Sequence, residues 1–200
     1  MNAWAKAFSL HNKVRLVRMV QNGIRPEGIS HLLAEGLNKA AGLRVFNIQD
    51  NTFTLSGAKA LAKAVQGWPE LQELGVSDCY LTAKGWAHVS QALAKGQNAK
   101  LEVLRLAYND ITAPGVKSLS EAAEKLPSIR RIELNGNKFA EGDPSIVKLQ
   151  ELLEERKEKL AGDVVMEDDW GLDELDELDS EVEEESEEEE EEEEVEELAE

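Results

Sequence analysis

The chain is poor in the residues that build most catalytic sites and cross-links. It has one cysteine, Cys79, so no internal disulfide framework can form, and a reducing cytosolic or nuclear setting is expected. Its three histidines, His11, His31 and His88, fall on separate stretches, without the close His/Cys spacing of a zinc site. There is no glycine-rich phosphate loop and no nucleophile elbow. No apolar run is long enough to cross a bilayer, and the first residues lack the pattern of a secretory signal. No Lys/Arg cluster of the nuclear-localisation type occurs. Lys and Arg are missing altogether from residues 163–200, which hold 24 of the 41 acidic residues. The 22 bases share residues 1–162 with 17 acids, so a mildly basic body precedes a polyanionic end in a chain of net charge −19. Carboxylates crowded into such an end have nothing to hold them as a positioned acid and base. A binding module is therefore expected rather than an enzyme, with no cofactor, no metal, no nucleic-acid partner and no membrane insertion.

What is present is a repeat. VRLVRMVQN ends at Asn22, LRVFNIQDN at Asn51, LQELGVSDC at Cys79, LEVLRLAYN at Asn109 and IRRIELNGN at Asn137, in steps of 29, 28, 30 and 28 residues. This is the strand phrase of a leucine-rich repeat, whose last position takes Asn or Cys. The chain turns sharply there, and its buried amides need partners. Repetition of one residue type along a solenoid marks packing rather than chemistry. Asn22, Asn51, Asn109 and Asn137 are thus expected to form an inward structural ladder, with Cys79 filling one rung as a small buried thiol.

The rest of each period carries apolar residues at i, i+3 and i+7, such as Ala58, Leu61 and Val65, or Trp86, Val89 and Leu93, the stripe of a helix. In the first unit Gly36 interrupts this stripe. The pattern predicts an α/β fold: a ribonuclease-inhibitor-like leucine-rich-repeat solenoid of about five units of 28–30 residues, with a parallel sheet on the concave face and helices on the convex face. The repeat domain is placed at 1–162. Its C-terminal cap is a helix over about 143–161, started by Pro144 and ended by Arg156, Lys157 and Lys159, whose charge suits the helix dipole. Met1, Trp4, Ala5 and Phe8 read as the helical half of a unit without its strand, so the chain is expected to be part of a longer array. Residues 163–200 are expected to be disordered, because they bury too little to offset charge repulsion and ordering entropy. Leu172, Leu175, Leu178 and Val182 have helix-like spacing and are read either as a partner-induced helix or as a solvated one.

A solenoid of this kind binds with the outward positions of its strands and the loops at their C-terminal ends. The candidates for partner contact are Gln49, Asp50, Ser77, Asp78, Arg105, Tyr108 and Asp110, which are polar and varied where the ladder is uniform.

Five phrases carry a more specific likeness: MVQNGIRPEGI (19–29), IQDNTFT (48–54), WPELQELGVSDC (68–79), LRLAYNDI (104–111) and IELNGNKF (132–139). With a GLDELDEL segment and polyglutamate after them, the chain resembles the Ran GTPase-activating proteins, especially the fungal type. The resemblance implies a GTPase activator for the small GTPase Ran, acting in nucleocytoplasmic transport. It implies a mechanism without an arginine finger, in which Ran's own glutamine is oriented and an asparagine of an early repeat lies near the nucleotide. GTP and magnesium then belong to the partner, a Ran-binding protein is a candidate third member of the complex, and the location is the cytoplasm or the nuclear envelope. No catalytic residue is transferred to this chain, since the early repeats have no counterpart in it; weak or absent activity is expected. The alternative reading, an acidic leucine-rich nuclear protein that chaperones histones, fits less well because its repeats are shorter. A ribonuclease-inhibitor-type scaffold would be rich in cysteine.

Overall fold

The computed structural model describes residues 1–11, 13–159 and 170–179. Short strands, of three residues in β1–β5 and two in β6, alternate with helices. In order they are α1 (Asn2–Leu10), β1 (Leu16–Arg18), α2 (Pro26–His31, running on as a π-helical stretch at Leu32–Leu37), β2 (Val45–Asn47), α3 (Thr54–Val65), β3 (Glu73–Gly75), α4 (Ala83–Leu93), β4 (Val103–Arg105), α5 (Ala113–Glu124), β5 (Arg131–Glu133), α6 (Pro144–Lys159) and β6 (Gly171–Leu172). The strands form one parallel sheet in the order β1-β2-β3-β4-β5-β6. Val17, Phe46, Leu74, Leu104, Ile132 and Leu172 stand in register across it. One inward side chain per rung thus faces the helices, and its two neighbours face the other way. The expected leucine-rich-repeat solenoid is what forms.

The helices close the core because their stripe is continuous from rung to rung. Leu61, Val65, Val89, Leu93, Val116 and Leu119 are fully buried, each contributing about 1.5–3 kcal/mol of transfer free energy. Two tryptophans go inside because their indole N–H groups find carbonyls in neighbouring rungs: Trp68 donates to Leu37 O at 2.9 Å and Trp86 to Gly115 O at 2.9 Å. Gly36 is buried within the π-helical stretch. It lies where α1 passes, and a Cβ there would sit 2.9 Å from the Ala5 Cα, so the glycine permits the close approach of two helices.

The C-terminal end departs from expectation twice. The region from 163 onward is not disordered throughout: residues 170–179 are a strap laid along the last full rung, adding β6 to the sheet. Trp170 is buried, and its indole donates to Leu153 O at 2.9 Å. Leu172, Leu175 and Leu178 pack partly buried against the core, from extended and turn backbone instead of a helix. Val182 and the rest of the acidic run lie outside the described residues. A composition average hides three leucines and a tryptophan that meet an already built apolar edge, which is why the strap orders despite its charge. The second departure concerns α6. Described from Pro144 to Lys159, in keeping with the expected helix, it is the helical half of the fifth unit, and the strap adds a further strand beyond that unit. Arg156 does act on helix-end carbonyls, but those of the preceding unit: its guanidinium donates to Ala123 O, Leu126 O and Ile129 O at 3.0, 2.9 and 3.3 Å.

Candidate functional site: the strand face and its C-terminal rim

The ladder residues are occupied from inside. Asn109 Oδ1 accepts from the Cys79 and Leu81 amides at 3.1 and 3.2 Å, and its Nδ2 donates to Val76 O, Leu106 O and Ala107 O at 2.8, 3.1 and 3.1 Å. Asn137 serves the Asn109 and Ile111 amides, both at 3.0 Å. Asn51 serves Asn22 and Ile24 at 3.3 and 2.8 Å. All three are at most 5% exposed. Cys79 keeps its rung with Sγ donating to Ser77 O and Ile48 O, and burial pushes its thiol up to about 12, so it is neutral and no nucleophile. Asn22 is the exception. It has the ladder position but is exposed, and its amide turns back to Val20 O at 2.7 Å, since among the described residues no strand lies before β1 to supply carbonyls.

One residue before each ladder position, the backbone takes the left-handed conformation. Gln21, Asp50, Asp78 and Tyr108 have φ of 55°, 55°, 51° and 55°, and Gly136 has 70°. Their amides stay in the ladder: Asp50 N donates to Ser77 O, Asp78 N to Ala107 O and Tyr108 N to Asn135 O, at 2.8–3.0 Å. The fixed turn therefore throws these side chains outward in a row, at a cost of roughly 1–2 kcal/mol per non-glycine residue. Asp78 and Tyr108 are exposed and Asp50 is half-buried. Asp110, two residues further, pairs with Lys138 at 3.0 Å. Gly136 is required by packing as well as by φ, since a Cβ would meet the Tyr108 ring at 2.1 Å: the phenol lies across the next rung.

The strand face inside this rim is a connected charge network that the repeat pattern does not announce. Glu73 stands between Arg18 (3.6 Å) and Arg105 (3.5 Å) and accepts from Asn47 Nδ2 at 3.3 Å. Arg105 also bonds Glu133, which lies 3.8 Å from Arg131. Burial works against the Arg105 charge, but Glu133 and Glu73 outweigh it and hold its pKa above the usual value. Gln49 leans on this network, its Nε2 donating to Asn47 Oδ1 at 3.0 Å.

Of the seven candidates, Asp50, Asp78, Tyr108 and Asp110 share one rim, and Gln49 and Arg105 lie on the adjoining strand face. Ser77 does not belong with them. It is 8% exposed with an enclosed Oγ. Sequence reading missed the strap as a part of this surface. Asp173 accepts from the Leu134 and Asn135 amides at 2.7 and 3.0 Å, Asp176 from Asn135 Nδ2 at 2.8 Å, and Glu177 from the Tyr108 hydroxyl. The available signal was the L-x-x-L-x-x-L spacing of residues 172–178, read as helical. Among the described residues no group of three or more His, Cys, Asp or Glu is arranged to hold a metal, and no helix is long and apolar enough to cross a membrane. The surface offers hydrogen bonds and charge to a macromolecule, with no positioned nucleophile or acid–base pair.

Comparisons with known proteins agree with this architecture. The family described as Leucine Rich repeat matches residues 43–62 and 97–120. The Ran GTPase-activating protein 1 of Saccharomyces cerevisiae is 35% identical over 141 residues, which are 68% of this chain and 35% of that protein. The RAN GTPase-activating protein 2 of Arabidopsis thaliana is 24% identical over 137 residues, 68% of this chain and 25% of that one. The chain thus spans about a third or less of these relatives. Among solved structures, the tropomodulin C-terminal domain of Caenorhabditis elegans superposes with a TM-score of 0.65 at 16% identity, covering 78% of this chain and 95% of that domain, a likeness of fold alone.

Proposed function

From a leucine-rich-repeat chain that is similar to Ran GTPase-activating proteins over two thirds of its length, we propose that the C-terminal rim and strand face bind Ran in its GTP form as part of GTPase activation. The observation that carries the reading is the 35% identity over 141 residues to the yeast activator. The geometry supports it, since Asp50, Asp78, Tyr108 and Asp110 stand in one row on a rigid scaffold whose ladder is closed to any ligand. GTP and its magnesium belong to the partner in this reading, a Ran-binding protein is a candidate third member, and the place of action is the cytoplasm, with the nuclear envelope as the alternative.

The chain contributes binding more than chemistry. Asn51, Asn109 and Asn137 have donors and acceptors committed to backbone groups, so none is available to orient a water or a glutamine. Binding without full stimulation is the expected behaviour. Titration of labelled Ran·GTP against the chain, with core histones as the competing ligand, tests the partner. Replacing Asp50, Asp78 and Tyr108 by alanine together lowers the affinity at least tenfold while the melting temperature changes little. A single-turnover assay shows little acceleration of GTP hydrolysis. Histone binding with no Ran binding overturns the reading.

A further inference from the structure

The strap is attached in two halves of different character. The first, Trp170–Asp173, is an anchor. It has a buried indole bonded to Leu153 O. Its backbone pairs through Gly171 N to Arg130 O at 2.8 Å and Asp173 N to Ile132 O at 3.3 Å, and Arg131 donates to Leu172 O at 2.9 Å. The Asp173 carboxylate takes the two amides that the last full rung would otherwise leave without a strand partner. The second half, Leu175–Asp179, crosses the rim. Asn135 is held from both sides, its Nδ2 by Asp176 at 2.8 Å and its Oδ1 by the Glu177 amide at 2.9 Å. The Tyr108 hydroxyl, two rungs in from the end, donates to Glu177, and the Asp179 amide donates to Asn137 O at 2.9 Å.

Both rim groups that this half grips would otherwise face a partner. Tyr108 is pinned across Gly136, so its hydroxyl has a fixed direction, and that direction is filled by Glu177. Asn135 lies on the strand face beside the Arg131–Glu133 pair. The side-chain bonds of this half are made at exposed sites, where water or another chain's groups replace them at small cost. Releasing them leaves the anchor of Trp170 and Leu172 in place, and full opening costs in addition the partly buried contacts of Leu175 and Leu178.

We propose that residues 175–179 are an intramolecular latch on the partner-binding rim: Asp176 and Glu177 hold Asn135 and Tyr108, and a partner must take those two groups from the latch to engage the C-terminal rungs. The proposal rests on the reading of this rim as the Ran-binding surface. Apparent affinity is then the intrinsic affinity multiplied by the fraction of molecules with the latch open.

The test uses the full chain with Asp176→Ala and Glu177→Ala together, which remove both acceptor groups, and Glu174→Gln, exposed on the same segment, as the control for lost charge. Hydrogen exchange at Leu134 and Asn135 reports that the anchor is intact. The chain has only two tyrosines, Tyr80 and Tyr108, so spectrophotometric titration reads the latch without any partner. Opening the latch lowers the pH at which one of them ionises, because Glu177 holds the Tyr108 phenol above its usual range. Ran·GTP binds the unlatched chain about 3–10-fold tighter than the wild type, and the Glu174→Gln control binds like the wild type. An unchanged tyrosine titration overturns the latch, as does Ran affinity that is equal or weaker in the unlatched chain. If neither form binds Ran while the titration shifts as described, the functional reading fails, and the proposal falls with it.

Discussion

The two ends of the sheet solve the same problem in different ways. Every internal rung takes hydrogen-bond partners from its neighbour, so an end rung is left with groups to satisfy. At the C-terminal end, the strap supplies a strand, a buried tryptophan and a carboxylate over the Leu134 and Asn135 amides. At the first rung, β1 has an outer edge without a strand among the described residues, Leu16 and Val20 are about half exposed, Trp4 is 53% exposed and Leu10 70% exposed, and the ladder residue Asn22 faces water. The same residue type in the same repeat position is therefore a structural strut in the interior and an ordinary surface amide at the first rung. What a ladder asparagine contributes depends on the rung that comes before it.

That contrast is broken most directly from the interior. Asn109→Ala strands two buried amides and removes a donor from three carbonyls, at about 3 kcal/mol. At roughly 2–4 °C per kcal/mol for a chain of this size, thermal unfolding by circular dichroism shifts down about 6–12 °C. A loss of Ran binding with unchanged melting would reverse the assignment of Asn109 from structure to function. The next largest effect separates the two parts of the acidic end. A chain stopped after residue 179 melts like the full chain, because it keeps the strap. One stopped after residue 169 loses the Trp170 burial and exposes the fifth rung, for a loss of about 2 kcal/mol, below the usual 3–5 for a core tryptophan because the edge can rehydrate. Equal melting of the two would show that the strap contributes nothing to closure.

A smaller effect lies in the cap itself. Asp173→Ala leaves the Leu134 and Asn135 amides without a protein acceptor, about 1 kcal/mol, read as faster hydrogen exchange confined to those two sites. Burial raises the Asp173 pKa, the amide hydrogen bonds oppose this, and Glu133 adds to the rise. A carboxyl whose folded-state pKa is raised contributes stability that is fully present below its unfolded value, near 4, and is lost as pH rises through the folded value. The contribution of Asp173 to global stability thus increases on acidification through the carboxylate range, and Asp173→Asn, compared with the wild type in urea unfolding at each pH, flattens that dependence. A contribution that falls on acidification would mean that the two amide bonds outweigh the burial of the charge.

Much of this molecule is legible in its sequence because the repeat writes each rung in the same code. The alternation around Leu74, Leu104 and Ile132 gives the sheet, and the Asn/Cys positions give the ladder, since both depend on local periodicity. The row of Asp50, Asp78 and Tyr108 was readable for the same reason. What escaped depends on neighbours in space rather than along the chain. Ser77 is buried although it occupies an outward position of the repeat, Gly36 is shaped by the passing of α1, and Glu73 gathers Arg18, Asn47 and Arg105 from three other strands. The strap escaped because composition predicts whether a segment can fold alone, whereas Trp170, Leu172, Leu175 and Leu178 need only complete an edge that the solenoid has already built.

The smallest expected effect is the sharpest test of the comparison. Asn22→Ala removes a side chain whose only hydrogen bond among the described residues runs, in the open, to Val20 O two residues away. The Asn22 and Ile24 amides are served by Asn51 from the following rung, so the substitution strands nothing. Stability should change by less than about 0.5 kcal/mol, as for an ordinary surface site, against several times that at Asn109. Measured side by side in urea, with m-values held equal so that the same surface is exposed on unfolding, the two substitutions weigh one residue type in one repeat position with and without a preceding rung. If Asn22→Ala were as costly as Asn109→Ala, the inward amides would be stabilising through the turn of their own repeat, and the dependence on the preceding rung would be lost.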